Sequence, residues 1–77
     1  MTLNELSQKL SEMYKDAPKG EQVTMIYLFG IKYHSEIKKM GIKEIIAQSG
    51  IHSTYQTELS KAIKLSKYVS IHQQYNF

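Results

Sequence analysis

The segment VTMIYLFGIKY, residues 23–33, constrains this chain more than any other stretch. At helical spacing Val23, Ile26 and Tyr33 fall on one face, which continues to Ile37 and Met40, while Met25, Leu28 and Phe29 point elsewhere. A helix that is apolar on more than one side must be covered on more than one side. The chain has 77 residues, enough for one domain with one small core. Two arrangements satisfy the segment: a central helix in a small bundle, or a helix that also packs against a second subunit. Gly30 lies mid-segment, where it costs about 1 kcal/mol relative to Ala. Its place there marks either a kink or a close helix crossing.

The rest of the chain reads as helices of the same kind. In TLNELSQKLSEMYKDA, Thr2 and Glu5 have capping-box spacing, and Leu3, Leu6, Leu10, Met13 and Tyr14 form one apolar stripe. Pro18 and Gly20 mark a loop. After Tyr33 the pattern turns polar, so the second helix either breaks or runs on to Lys39, and Gly41 suits a C-terminal cap. IKEIIAQS makes a short helix with Ile42, Ile45 and Ile46 inward. Gly50 takes positive φ at its end, and Ile51 plugs the turn. Ser53 and Gln56 are spaced as a second capping box, which starts the next helix at about residue 54. Tyr55, Leu59, Ala62, Ile63 and Ser66 share its inner face. YVSIH, residues 68–72, alternates and is β-branched, which reads as one strand. The expected fold is mostly α, a compact helix-turn-helix bundle of four or five helices with one short C-terminal β-strand, in a single domain over residues 1–77.

A short helix, a Gly-apolar turn and a longer helix with a polar N-terminal face resemble a helix-turn-helix. Gly50, Ile51 and Leu59 fit that pattern. Ile46 departs from it, because a small residue usually stands there to let the helices cross closely. Gln56 departs too, with Tyr55 supplying the buried side chain one position early. Over residues 2–71 the chain also resembles small bacterial proteins described as HTH-like domain proteins. The stretches APKGEQVTMIYLFGIKY, IKEIIAQSGI and ELSKAIKLSKYVSI carry that resemblance. It implies a fold and no established activity.

Composition removes several function classes. There is no Cys, hence no disulfide framework, thiolate metal site or Cys nucleophile. His34, His52 and His72 lack the i, i+4 spacing of a helical zinc pair. Each Gly is isolated, so no phosphate-cradling loop exists, and nothing pairs a Ser with a His. Neither an enzyme nor a cofactor or metal site is expected. No apolar run approaches the 18 or so residues of a membrane span, and the N-terminus lacks the basic start and apolar run of a signal peptide. The expected compartment is the cytoplasm. Tyr14, Tyr27, Phe29, Tyr33 and Tyr55 stand at helical spacing among aliphatics, which reads as core or interface rather than nucleotide stacking.

All ten basic residues are Lys, and the net charge is +3. Residues 1–31 carry Lys9, Lys15 and Lys19 against Glu5, Glu12, Asp16 and Glu21. Residues 32–77 carry seven Lys against Glu36, Glu44 and Glu58. The basic half therefore contains the helix-turn-helix. This asymmetry fits a phosphate-facing surface, although solvation alone also accounts for exposed Lys. The expected function is a dimeric DNA-binding regulator of double-stranded DNA. Lys43, Lys61, Lys64 and Lys67 would hold phosphates, and His52, Ser53, Thr54, Gln56, Thr57 and Ser60 would line the reading face. Met25, Leu28 and Phe29 in residues 23–33, Val69 and Ile71 in residues 68–72, or both sets, would form the homodimer interface. The rival is a protein-interaction or inhibitor module on the same scaffold. The absence of Arg, the low charge and the surplus apolar surface of residues 23–40 favour it.

Overall fold

Helix α1, Leu3–Lys15, begins where the capping box places it. The Thr2 hydroxyl accepts from the Glu5 amide at 3.1 Å, and the Glu5 carboxylate accepts from the Thr2 amide at 2.9 Å. These bonds satisfy two amides that a helix start leaves orphaned, and they hold the Glu5 carboxyl below its ordinary pKa. Leu6, Leu10 and Met13 then enter the core from one face.

The computed structural model describes residues 1–71, and four more helices follow α1 within that range. They are α2 Gln22–Lys32, α3 His34–Met40, α4 Ile42–Ser49 and α5 Tyr55–Leu65. Helix α1 packs on α2 and α4, and α5 lies chiefly along α2 with a smaller contact to α4. The inner faces meet in one cluster that includes Leu6, Leu10, Ile26, Phe29, Ile37, Ile45, Ile46 and Leu59. Helix α2 is therefore a central helix, the first of the two arrangements that its apolar faces allow.

The second long segment does break after Tyr33. That residue has φ −109° and ψ 23°, and it is the only one between α2 and α3. Its amide still donates to the Phe29 carbonyl and its carbonyl accepts from the Ile37 amide, both at 3.0 Å. The His34 ring nitrogen Nδ1 lies 2.9 Å from the Ile31 carbonyl, which fills a backbone acceptor at the break. Gly41 is likewise the only residue between α3 and α4, and its amide closes α3 on the Ile37 carbonyl at 2.8 Å.

Gly30 resolves as a close crossing. A Cβ at this position would lie 2.5 Å from the Ala62 Cβ and 3.0 Å from Leu59 Cδ1, so α2 and α5 touch through the missing side chain. One polar group in the interior stands apart. The Ser7 hydroxyl, on α1, is buried with no hydrogen-bond partner among the described residues.

Three expectations need correction. No strand forms at the C-terminal end among the described residues. Lys67 and Tyr68 belong to a turn after α5, and residues 69–71 have no regular structure, while His72 lies outside the described residues. Alternation in one short segment offers no ladder, because a strand needs a partner to bond its amides and carbonyls. Val23 is 40% exposed rather than inward, since it sits in the first turn of α2 with its side to solvent. Phe29, expected on an interface face, is fully enclosed by the chain's own core.

Candidate functional site

The turn into α5 is built by its own backbone. Gly50 ends α4 with φ +80° and ψ 7°, a left-handed conformation that favours Gly over any residue with a Cβ. Ile51 then packs its side chain against the core. Residues 52–54 stand at the surface. The expected Ser53–Gln56 capping box is absent: Thr54 holds the N-cap position and its side chain makes no cap bond to the helix. Tight backbone turns take over instead. The Tyr55 amide donates to the His52 carbonyl at 3.1 Å, Gln56 to the Ser53 carbonyl at 3.1 Å, and Thr57 to the Thr54 carbonyl at 3.4 Å. The Thr54 amide donates to His52 Nδ1 at 3.1 Å, and the Thr54 hydroxyl lies 3.0 Å from the same nitrogen.

Helix α5 sorts its residues as the period demands. Leu59, Ala62 and Ile63 are buried against α2 and the core, and Tyr55 is half-buried beside them. On the far side Thr57, Lys61 and Lys64 are exposed, at spacings of four and three that place them on one stripe. His52, Ser53 and Thr54 are exposed in the turn before them. Gln56 and Ser60 are half-buried on the flanks, and Lys67 is exposed just past the helix end. Lys43 is exposed on α4, in its first turn and thus at the end away from Gly50.

Two acidic side chains could oppose the Lys. Glu58 is drawn aside, because the Tyr27 hydroxyl on α2 donates to its carboxylate at 2.7 Å. That bond, with burial and the nearby negative charge, raises the Tyr27 pKa. The Glu44 carboxylate folds back over Gly41, filling the space where a Cβ at that glycine would stand. A carboxylate there faces the positive end of α4.

At its start α5 is pinned to α1. The Tyr14 hydroxyl donates to the Tyr55 hydroxyl at 3.3 Å, with the rings 5.5 Å apart edge to face. That bond and burial raise the Tyr14 pKa. Nothing in the periodicity pairs Tyr14 with Tyr55 or Tyr27 with Glu58, since each pair joins helices far apart in sequence.

The residues expected at a subunit contact divide. Phe29 is enclosed, Met25 and Leu28 are half-buried against the chain's own core, Ile71 is half-buried, and Val69 is 45% exposed. Leu65, not singled out from the sequence, is 41% exposed, and Tyr68, the first residue of the 68–72 stretch expected at a subunit contact, is 83% exposed. An open groove of about 260 Å³ lies elsewhere, lined by Lys9, Glu12 and Met13 of α1, Asp16 just past its end, and Met25 of α2. Among the described residues no helix is long and apolar enough to cross a membrane.

No curated protein and no solved structure matches the chain. The model of a family described as HTH-like domain matches residues 2–72, nearly its whole length. The five-helix bundle with its Gly50 turn is thus a helix-turn-helix scaffold, and the protein belongs to the HTH-like domain family.

Proposed function

We propose that this domain binds double-stranded DNA, with α5 entering the major groove. The observation that carries the reading is the stripe Thr57–Lys61–Lys64, exposed along α5 just after three exposed polar residues in the turn. Tyr27 on α2 engages the carboxylate of Glu58, which neighbours Thr57 in sequence. Helices that read DNA present short polar side chains at the N-terminal end and cations along the phosphates. In this reading Lys61, Lys64 and Lys67 bind phosphate oxygens, with Lys43 adding charge from α4. Ser53, Thr54, Thr57 and Ser60 reach towards base edges, and Gln56 lies at the flank. Lys can hold phosphates but lacks the planar fork by which Arg reads guanine, so discrimination is modest.

A second reading rests on a different observation. Leu65, Tyr68 and Val69 leave apolar surface exposed at the end of α5. We propose that this end, rather than α2, carries a homodimer contact. A two-fold axis there would suit two α5 helices on successive half-sites. The rival protein-interaction role would use the same surface for another chain.

Selection from random oligonucleotides, with light scattering on the same sample, tests both. DNA binding that weakens as salt rises supports the first reading, and its absence at low ionic strength rejects it. A monomer at high concentration rejects the homodimer and leaves the surface to another partner.

A further inference from the structure

Among the described residues, His52 is the only imidazole in the turn that leads into α5, and its ring is bonded in a way that fixes its chemistry. A backbone N–H can only donate, so the Thr54 amide 3.1 Å from Nδ1 requires an unprotonated Nδ1. The proton of the neutral ring then sits on Nε2. Nε2 is on the opposite edge of the ring from Thr54, and the residue is exposed. The amides of residues 54–57 are all spent inside the turn. The start of α5 therefore has no free N–H in this span with which to hold an anion, the usual device of a helix N-terminus.

We infer that His52 is a specificity-determining residue that presents one neutral donor, Nε2–H, to a hydrogen-bond acceptor on a base edge in the major groove. This rests on the DNA-binding reading above and names how one side chain of that site would discriminate. Guanine N7 and O6, adenine N7 and thymine O4 accept there, whereas adenine N6 and cytosine N4 only donate. A ring whose Nδ1 is committed to Thr54 cannot turn its acceptor edge outward without losing that bond. It selects acceptors and rejects donors. His34 is the opposite case: its Nδ1 faces the Ile31 carbonyl, so that nitrogen carries the proton.

Two measurements on the full chain test the inference. Long-range proton–nitrogen NMR of the free protein at mildly alkaline pH reads the tautomers directly. The expected result is an unprotonated Nδ1 at His52 and a protonated Nδ1 at His34. A protonated or evenly mixed Nδ1 at His52 overturns the inference whether or not DNA binds. The second measurement compares His52→Asn and His52→Ala with wild type on a selected DNA site and its single-base variants. The Asn side-chain oxygen can accept the Thr54 amide as an Asx turn, so His52→Asn keeps the turn while removing Nε2–H. Both variants should lose about three- to tenfold in affinity, the worth of one hydrogen bond, confined to one base position and with an unchanged salt slope. A loss equal on all sequences, or a slope lower by about one, means a cationic phosphate contact and overturns the inference. If the wild-type protein binds no DNA, both the parent reading and the base contact fail. A correct tautomer would then report only a brace of the turn.

Discussion

Replacing Gly30 by Ala sets two principles against each other. In an isolated helix the substitution gains about 1 kcal/mol of propensity. Here the new methyl would stand 2.5 Å from the Ala62 Cβ, where non-bonded carbons prefer about 3.5–4.0 Å. The obstructing atom is fixed to the α5 backbone, so no rotamer change relieves it. Helix α5 must retreat by about 1 Å, opening the contact around Leu59 as well. Overpacking of this kind costs about 1–3 kcal/mol, and the rigid neighbour puts Gly30→Ala near the upper end. The net expectation is a loss of about 2 kcal/mol. In a domain of this size that lowers the melting temperature by about 8–16 °C. Urea denaturation followed by circular dichroism measures it. Ala62→Gly in the Gly30→Ala background should recover part of the loss, with a coupling of about 0.5–3 kcal/mol. A single variant as stable as wild type, or more stable, would refute the close crossing and leave propensity in control.

Leu59→Ala should cost about 2–5 kcal/mol, because the side chain is fully enclosed beneath the proposed reading face, and an unchanged melting temperature would reject that placement. Tyr14, Tyr27 and Tyr33 all have raised pKa values in the fold, so the folded state holds their protons longer than the unfolded chain does. Stability is full below the ordinary Tyr value of about 10 and falls as pH rises through the folded values; Tyr27→Phe should flatten that alkaline decline, and identical pH profiles would count against the Tyr27–Glu58 bond. Lys61→Ala and Lys64→Ala should each lower the salt slope of DNA binding by about one unit across all sequences. Tyr68→Lys should abolish a dimer built on the end of α5 while leaving the unfolding free energy of a dilute sample within about 0.5 kcal/mol of wild type, and a dimer that persists in light scattering rejects that surface.

Local signals were the readable ones. Thr2 and Glu5 announce the start of α1, and Gly50 with Ile51 announces the turn before α5, because each depends on residues a few positions apart. The apolar excess of α2 left two arrangements open, a central helix or a subunit contact, and the chain's own helices enclose Ile26 and Phe29 as a central helix does. Periodicity says which residues share a face, but not what lies against that face. Phe29 therefore reads as an interface residue by its phase, whereas this chain's own core encloses it. Val23 had the right phase and the wrong depth, lying one turn too early to be covered. Ser53 and Gln56 carry capping-box spacing, yet the turn closes through His52 and Thr54. Alternative caps differ by only about a kcal/mol, so local geometry decides between them. The surface stripe on α5 was legible from the phase of Leu59, whereas the Tyr27–Glu58 bond belongs to the tertiary arrangement alone.

The single-residue joints at Tyr33 and Gly41 bear on how the length of this chain can vary. Backbone bonds run into and out of both joints, so residues 22–49 contain no slack. One residue added inside that span would turn everything downstream by about 100°, swinging Ile37, Ile45 or Ile46 out of the core. An addition within 50–54 would break the tight turn bonds at the start of α5 and move the exposed groups at its head. The loop between α1 and α2, residues 16–21, is bounded by exposed Asp16 and Glu21 and includes exposed Pro18, Lys19 and Gly20. It is the internal place where a peptide tag, a fluorophore attachment site or a second domain can be spliced in with the phase of every buried helix left intact.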